Sequence, residues 1–338
     1  MLLMESLKDI TDSYRHVLVY MRPPTTLLPE IKAEKVYYLG YKGKANMLWC
    51  IYKLHRIIKA EKAELIHAHH YWPTILSRLA KPASVPLLFT VHNHLSHDAF
   101  HLNRLSLYLE KLTYRETHHP IFVSKAVSED YHHYIQVRGE STVIYNFVAD
   151  EFYNPENEKE DRLISSNALR LVAVGNLKAQ KNHEYLVKVF CLLKNEEIYL
   201  DLIGDGPLMS QMMTLVAENG LKRIKTVGTS NAVFSMLRKY DAFILASKYE
   251  GMSLAVIEAM AVGLPCILSD IPSNREVAGN AAVFFSLSQP KECADKIMFL
   301  LKNPELMKEM SAASKKKAVD YQKKKYLSEL EALYKQYI

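Results

Sequence analysis

The chain has 338 residues, of which 49% are hydrophobic and 24% charged, an ordinary globular composition that excludes a wholly disordered or coiled-coil chain. Lys plus Arg outnumber Asp plus Glu by 43 to 37, a formal net charge of +6 that suits an anionic ligand or an anionic membrane surface without requiring nucleic acid. Cys50, Cys191, Cys266 and Cys293 form no CxxC pair, which excludes a zinc ribbon or thioredoxin-type motif and fits a reducing compartment.

The first residues, Met1 to Leu7, carry neither a basic region nor a long apolar stretch, so no leader is expected there. No apolar run reaches the roughly 18–20 residues that span a bilayer. The expectation is a cytoplasmic protein, free or held at the inner face of the membrane. Glu5 to Tyr14 has a helical pattern, and His16 to Tyr20 reads as a strand. Ala45 to Lys59 is expected to be a helix packing Leu48, Ile51, Tyr52 and His55. Lys53, Arg56 and Lys59 then form a basic stripe suited to anionic lipid or a lipid-linked acceptor. Leu65–Ala68, Pro86–Val91, Pro120–Val123 and Thr142–Tyr145 are short apolar strand candidates. Between them, Arg104 to Arg115 is expected to be a helix with Leu105, Leu109 and Leu112 on its packed face.

Residues 151–167 are polar and aperiodic, with Pro155 and an acidic cluster, and read as a linker. A second series follows: strands at Leu169–Val174, Ile198–Ile203, Ile224–Val227, Ala242–Leu245 and Cys266–Leu268. Asn182 stands where it can cap a helix that stacks Leu186, Val189, Phe190 and Leu193 on one side. Strand–helix alternation implies right-handed crossovers and parallel sheets, and two such series imply two doubly wound α/β domains. The boundaries are 1–150, the linker 151–167, 168–314, and a basic helix over 315–338. That helix carries a stripe of Tyr326, Leu330, Leu333 and Tyr337 and is expected to pack back on the first domain.

Asp241 to Gly263 carries the strongest chemical signal. A strand ends near Ser247, a loop carries Glu250 and Gly251, and a helix opens near Ser253. A helix start after a parallel strand lies at the carboxyl edge of a sheet, where free backbone amides and the positive dipole end favour phosphate. Glu258 is the only charged residue from Met252 to Leu268. A carboxylate in so apolar a run is costly unless it is hydrogen-bonded, and a ribose diol would supply that. Glu250 and Glu258 therefore flank one helix start, a layout that fits a diphosphate with hydroxylated groups at both ends.

These residues resemble the E-x7-E signature of the retaining glycosyltransferases of family 4, which have the GT-B fold of two Rossmann-like domains with a cleft between them. Val174 to Asn182, Leu202 to Pro207, Val227-Gly228 and Glu258 to Pro265 are similar to successive family segments. Ile66 to His69, Phe89 to Asn93, Phe122 to Ser124 and Tyr145-Asn146 are family-like in the first domain, and the resemblance covers roughly residues 60–338. It implies sugar transfer from a nucleotide-diphosphate sugar to an acceptor hydroxyl in polysaccharide or glycolipid assembly. The second domain would bind the donor and the first a saccharide or lipid-linked acceptor, with no nucleic acid partner. Glu258 would bond the ribose and Glu250 the donor sugar. Backbone amides of Gly251, Met252, Ser253 and Leu254 would approach the sugar and diphosphate. Lys181, in a loop with Gly175 and Asn176, would pair with the diphosphate, and His92 would face the reacting sugar across the cleft. No metal or other cofactor is implied.

Two departures stand out. The family's Arg before the lysine is Asn176 here, with Lys178 as the nearest compensating charge. The family's first strand and Gly-rich loop have no counterpart before His16, which suggests a shortened or mis-assigned start. Competing readings are a non-catalytic nucleotide-sugar-binding protein and, less supported, a nucleotide-sugar epimerase. Other patterns do not develop. Gly204-Asp205-Gly206 lacks the third glycine of a dinucleotide fingerprint, because Met209 occupies that place. His97 and His101 have the i,i+4 spacing of metal ligands without a supporting Cys or Glu motif. No G-x-S-x-G is present for a serine nucleophile.

Overall fold

The computed structural model describes residues 6, 10, 14–22, 33–97, 104–154, 168–230 and 232–338. The chain divides into two compact units, Met1–Asn146 with Lys323–Ile338, and Phe147–Gln322. Each is an α/β layer structure, and every strand pair within a sheet is parallel.

In the first unit, β1 (Val17–Tyr20) pairs with β2 (Lys35–Tyr38), and helix α1 (Met47–Ala60) follows. Then come β3 (Ile66–His69), α2 (Tyr71–Ala80), β4 (Leu87–Val91), α3 (Arg104–Thr113), β5 (His118–Phe122), α4 (Lys125–Tyr134) and β6 (Thr142–Val143). Strands β3 to β6 form one sheet in chain order. Helix α1 buries Cys50, Leu54, Ile57 and Ile58 against Leu76 and Ala80 of α2. Leu48 and Tyr52, expected inside, are 79% and 50% exposed. The buried stripe runs one step further round the helix, because that is where the small Ala80 and the apolar Leu76 admit it.

Helix α3 is rotated from its expected orientation, and of the expected stripe only Leu109 is half-buried. Leu105, Tyr108 and Leu112 are 47%, 60% and 51% exposed, while Glu110 and Thr113 are buried. The cause lies on α2. Arg78 is buried and its guanidinium meets the Glu110 carboxylate at 2.7 Å. It also donates to Thr113 Oγ1 at 3.3 Å and sits 4.4 Å from the Phe89 ring centroid. Tyr131 of α4 donates to the same carboxylate. A buried guanidinium without its carboxylate is far more costly than three exposed apolar side chains, so the ion pair sets the rotation of α3.

The second unit contains β7 (Leu169–Val174), α5 (His183–Leu192), β8 (Ile198–Ile203), α6 (Met209–Glu218), β9 (Ile224–Gly228), α7 (Val233–Leu237) and β10 (Ala242–Leu245). It continues through α8 (Leu254–Ala261), β11 (Cys266–Ser269), α9 (Pro272–Ala278), β12 (Ala282–Phe285), α10 (Pro290–Leu301) and α11 (Pro304–Ala318). The strand order β9-β8-β7-β10-β11-β12 is the doubly wound order, with the first strand at the centre and the switch point between β7 and β10. Leu186, Val189, Phe190 and Leu193 are buried in its core, on the side the sequence periodicity assigns them. Gly204 has φ +143° and lies so close to the preceding crossover that a Cβ there would sit 2.1 Å from the Gly175 carbonyl oxygen.

The first unit splits this connectivity. Among the described residues, β1 pairs only with β2 and β3 only with β4, so nothing corresponds to the central β7 of the second sheet. The helical pattern of Glu5 to Tyr14 lies largely outside the described residues. The start of the expected linker is instead a short 3-10 helix, Asp150–Tyr153, belonging to the second unit. Phe152 is buried, and Tyr153 donates to the carbonyls of Ala318 and Tyr321, both at 3.0 Å. Residues 155–167 lie outside the described residues.

The terminal region is two helices, not one. Lys315–Lys317 end α11, and after a 3-10 turn at Val319–Tyr321 helix α12 (Lys323–Tyr334) begins. Leu330 and Leu333 of α12 are buried with Leu88, Ile121 and Ile144, and Tyr326 and Tyr337 pack beside them. No described helix is long and apolar enough to cross a membrane.

Candidate functional site

In the second unit, β7 ends at Val174 and the chain turns at Gly175, whose φ is +150°. A Cβ at Gly175 would lie 3.0 Å from Lys181 Cε, so the lysine stem passes directly over the glycine. Lys181 Nζ donates to Glu250 Oε1 at 2.7 Å. The same oxygen accepts from Ser247 Oγ at 2.6 Å, and Gln180 Nε2 reaches Glu250 Oε2 at 3.3 Å. Gln180 also donates to the Tyr249 carbonyl at 2.9 Å, and Lys248 N donates to the Gln180 carbonyl at 2.8 Å. The loop after β7 and the loop after β10 are thus laced together on both sides of the switch point. Glu250 is buried, and both of its carboxylate oxygens take part in this lacing.

Helix α8 opens directly beyond, with Ser253 as its N-cap residue. Ser253 does not cap it: its Oγ is buried without a partner. The carboxylate of Glu258, on the second turn, has no hydrogen-bond partner among the described residues. Burial pushes its carboxyl up to about 7, against the opposing pull of the Lys181 charge. A cation, a helix N-terminus, an unmet hydroxyl and an unmet carboxylate thus lie along one edge. The first two favour phosphate and the last two favour hydroxyl ligands.

Asn182 departs from the expected cap. It adopts the left-handed conformation at φ +54°, and its side chain makes no capping bond to α5. Asn176 is exposed, and Lys178 lines a separate recess beside α5 and α6 with Leu208, Met212 and Lys248. Neither Lys181 nor Glu250 lines that recess.

His92 belongs to the first unit, immediately after β4. Its Nε2 is 3.1 Å from Nδ1 of His69, the last residue of β3, and its ring centroid is 4.7 Å from that of His70. Burial, then the neighbouring His69 and His70, push its imidazole well below the usual histidine range. His70 has φ +70° and starts α2, its carbonyl accepting from Thr74 N at 3.2 Å and Thr74 Oγ1 at 2.7 Å. His101 lies outside the described residues, so the His97–His101 spacing has no structural counterpart here.

The structure therefore brings Gly175, Lys181, Glu250, Ser253 and Glu258 to one edge of the second sheet. Gly251, Met252 and Leu254 form the backbone between the two carboxylates. Sequence reasoning missed Gln180 and Ser247, which hold Glu250. Nothing in their local pattern marks them, because their role depends on two loops meeting across the switch point. It also missed the bond from His69 to His92, which follows only from the register of His69 opposite Thr90.

Comparison with known proteins gives a consistent result. Residues 154–317 match the model described as glycosyl transferases group 1, and residues 10–152 match that of glycosyltransferase family 4. An uncharacterised glycosyltransferase of Methanocaldococcus jannaschii, MJ1178, is 26% identical over 322 residues, covering 93% of this chain and 86% of its own. The UDP-Gal:alpha-D-GlcNAc-diphosphoundecaprenol alpha-1,3-galactosyltransferase of Escherichia coli is 29% identical over 255 residues, covering 67% of this chain and 63% of its own. A match of 34% identity to Bacillus subtilis EpsF spans 40% of this chain and 36% of that protein. Among solved structures, Anabaena Alr3699/HepE in complex with UDP and glucose superposes with a TM-score of 0.73 at 17% identity, covering 90% of this chain and 86% of that one.

Proposed function

The chain belongs to the group 1, family 4 glycosyltransferases with the GT-B fold, and from that premise we propose a retaining, metal-independent transfer of a sugar from a nucleoside-diphosphate sugar to an acceptor hydroxyl. The observation that carries this reading is the unmet Glu258 carboxylate one helical turn beyond the unmet Ser253 hydroxyl, beside the Lys181–Glu250 pair. The N-terminus of α8 and Lys181 take the diphosphate, and Glu258 takes the ribose hydroxyls. Glu250, held rigid by Ser247 and Gln180, meets hydroxyls of the donor sugar.

Charge grows on the diphosphate as the glycosidic bond breaks. Lys181 and the helix end stabilise that charge more in the transition state than in the bound donor, which is where electrostatic preorganisation accelerates a reaction. The departing diphosphate oxygen takes the proton of the acceptor hydroxyl, so neither a protein nucleophile nor a metal is needed. His92 is assigned to the reacting sugar on the family resemblance. A saccharide or lipid-linked acceptor in polysaccharide or glycolipid assembly, at the cytoplasmic face of a membrane, is supported by the name of the Escherichia coli relative and by the basic, partly apolar exposed face of α1.

The test is proton NMR of the product formed from the α-linked donors UDP-glucose, UDP-N-acetylglucosamine, GDP-mannose and ADP-glucose with a panel of saccharide and polyprenyl-diphosphate acceptors. An α-linked product supports the reading. A β-linked product overturns retention, and absence of product with all donors overturns the transfer itself.

A further inference from the structure

The two strand ends that carry histidines in the first unit are built as a pair. Strands β3 and β4 run parallel with His69 opposite Thr90, so His69 and His92 leave the same carboxyl edge of the sheet. On the closed side, His67 is fixed at both nitrogens. Its Nδ1 lies 2.7 Å from the Tyr334 hydroxyl and its Nε2 lies 2.7 Å from Thr90 Oγ1. The His69 ring packs at 4.2 Å from the His67 centroid and 5.4 Å from that of His92. His69 therefore has a fixed wall on one side and His92 on the other.

We infer that His69 is a positioning residue for His92, holding its ring through Nε2 and fixing its proton on Nδ1. This rests on the proposed role of His92 at the reacting sugar. One proton occupies the 3.1 Å contact between His69 Nδ1 and His92 Nε2. A second would place two cationic imidazoles side by side in a desolvated cluster. Burial holds both rings well below the ordinary histidine range, consistent with a neutral pair.

The position of the proton follows from the far side of His69, where Nε2 is closed from solvent with no partner. Were His92 the donor, His69 would carry its proton on that closed Nε2, leaving a buried N–H with no acceptor. With His69 donating from Nδ1, the closed atom is a bare acceptor, and buried donors go unmet more rarely than buried acceptors. His92 then accepts at Nε2 and carries its proton on Nδ1, the nitrogen left to meet a ligand oxygen as a donor.

The experiment is long-range proton–nitrogen correlation of the full chain labelled at the histidine rings, with His92 signals identified by their loss in His92→Ala. The inference expects His92 protonated at Nδ1 and bare at Nε2, and loss of that single tautomer in His69→Leu. Protonation of His92 at Nε2, or a tautomer unchanged in His69→Leu, would overturn it. This measurement needs no turnover. In the kinetic arm, release of nucleoside diphosphate is followed with the four donors named above. His69→Leu is expected to lower kcat by about 10- to 100-fold, the order seen when an orienting partner is removed, with KM changed by less than about twofold. His69→Asn, which places an amide donor near the site of Nδ1, recovers most of that loss. Full activity in His92→Ala overturns the role of His92 itself. A large loss in His92→Ala with wild-type kcat in His69→Leu overturns the role of His69 alone.

Discussion

Glu258 makes a two-sided prediction. Its carboxyl is pushed from an ordinary 4.5 to about 7 by burial. The folded protein therefore holds this proton more tightly than the unfolded chain between those values. Stability falls as pH rises through that window, because the native state binds more protons there. Each pH unit is worth about 1.4 kcal/mol, so the ionised Glu258 costs the fold about 3 kcal/mol at pH 8 and little at pH 5. Glu258→Gln removes the titration. Urea unfolding at pH 5 and pH 8 should show the variant near wild type at pH 5 and more stable by about 2–3 kcal/mol at pH 8. The same variant should bind a nucleoside diphosphate more weakly, because the charged carboxylate is the better acceptor for ribose hydroxyls. In the wild type that affinity should rise roughly tenfold from pH 6 to pH 8, following the ionised fraction of a group near 7. A variant no more stable than wild type at pH 8, or an affinity flat across this range, would refute the reasoning.

Other consequences follow from the packing. Glu110→Ala strands the Arg78 guanidinium and should cost about 3–5 kcal/mol in urea unfolding. Leu105→Ser and Leu112→Ser, on the outward face of α3, should each change stability by no more than about 0.5 kcal/mol, against the several kcal/mol expected of core positions. Gly204→Ala drives a Cβ against the Gly175 carbonyl and should lower the melting temperature markedly, since backbone must move to relieve it. Lys181→Ala should abolish detectable binding of nucleoside diphosphates in calorimetry while leaving the circular dichroism spectrum unchanged.

The second unit was readable because its strands are short, buried and apolar, and because each loop carrying a site residue follows one of them directly. Glu258 stood out as a lone charge in an apolar run. Strand β2, Lys35-Val-Tyr-Tyr38, was not legible, since a half-exposed strand at the edge of a two-stranded sheet carries only a weak apolar signal. The packed face of α3 was misread for a different reason. Periodicity finds an apolar stripe but not its partner, and here Arg78 on another helix attracts the adjacent face that carries Glu110 and Thr113. The locks on Glu250 and His92 come from Gln180, Ser247 and His69, whose distances to them exist only once two parallel crossovers are in place.

The central claim is a nucleotide-diphosphate site along the start of α8. Thermal-shift titration of the full chain with UDP, GDP and ADP, beside Glu258→Ala, tests it most directly. A ligand that binds only the folded state adds about 2.7 kcal/mol at a hundredfold excess over its Kd. The account predicts a rise in melting temperature with at least one of the three, reduced or lost in Glu258→Ala. No rise with any of them, or an equal rise in the variant, would contradict it.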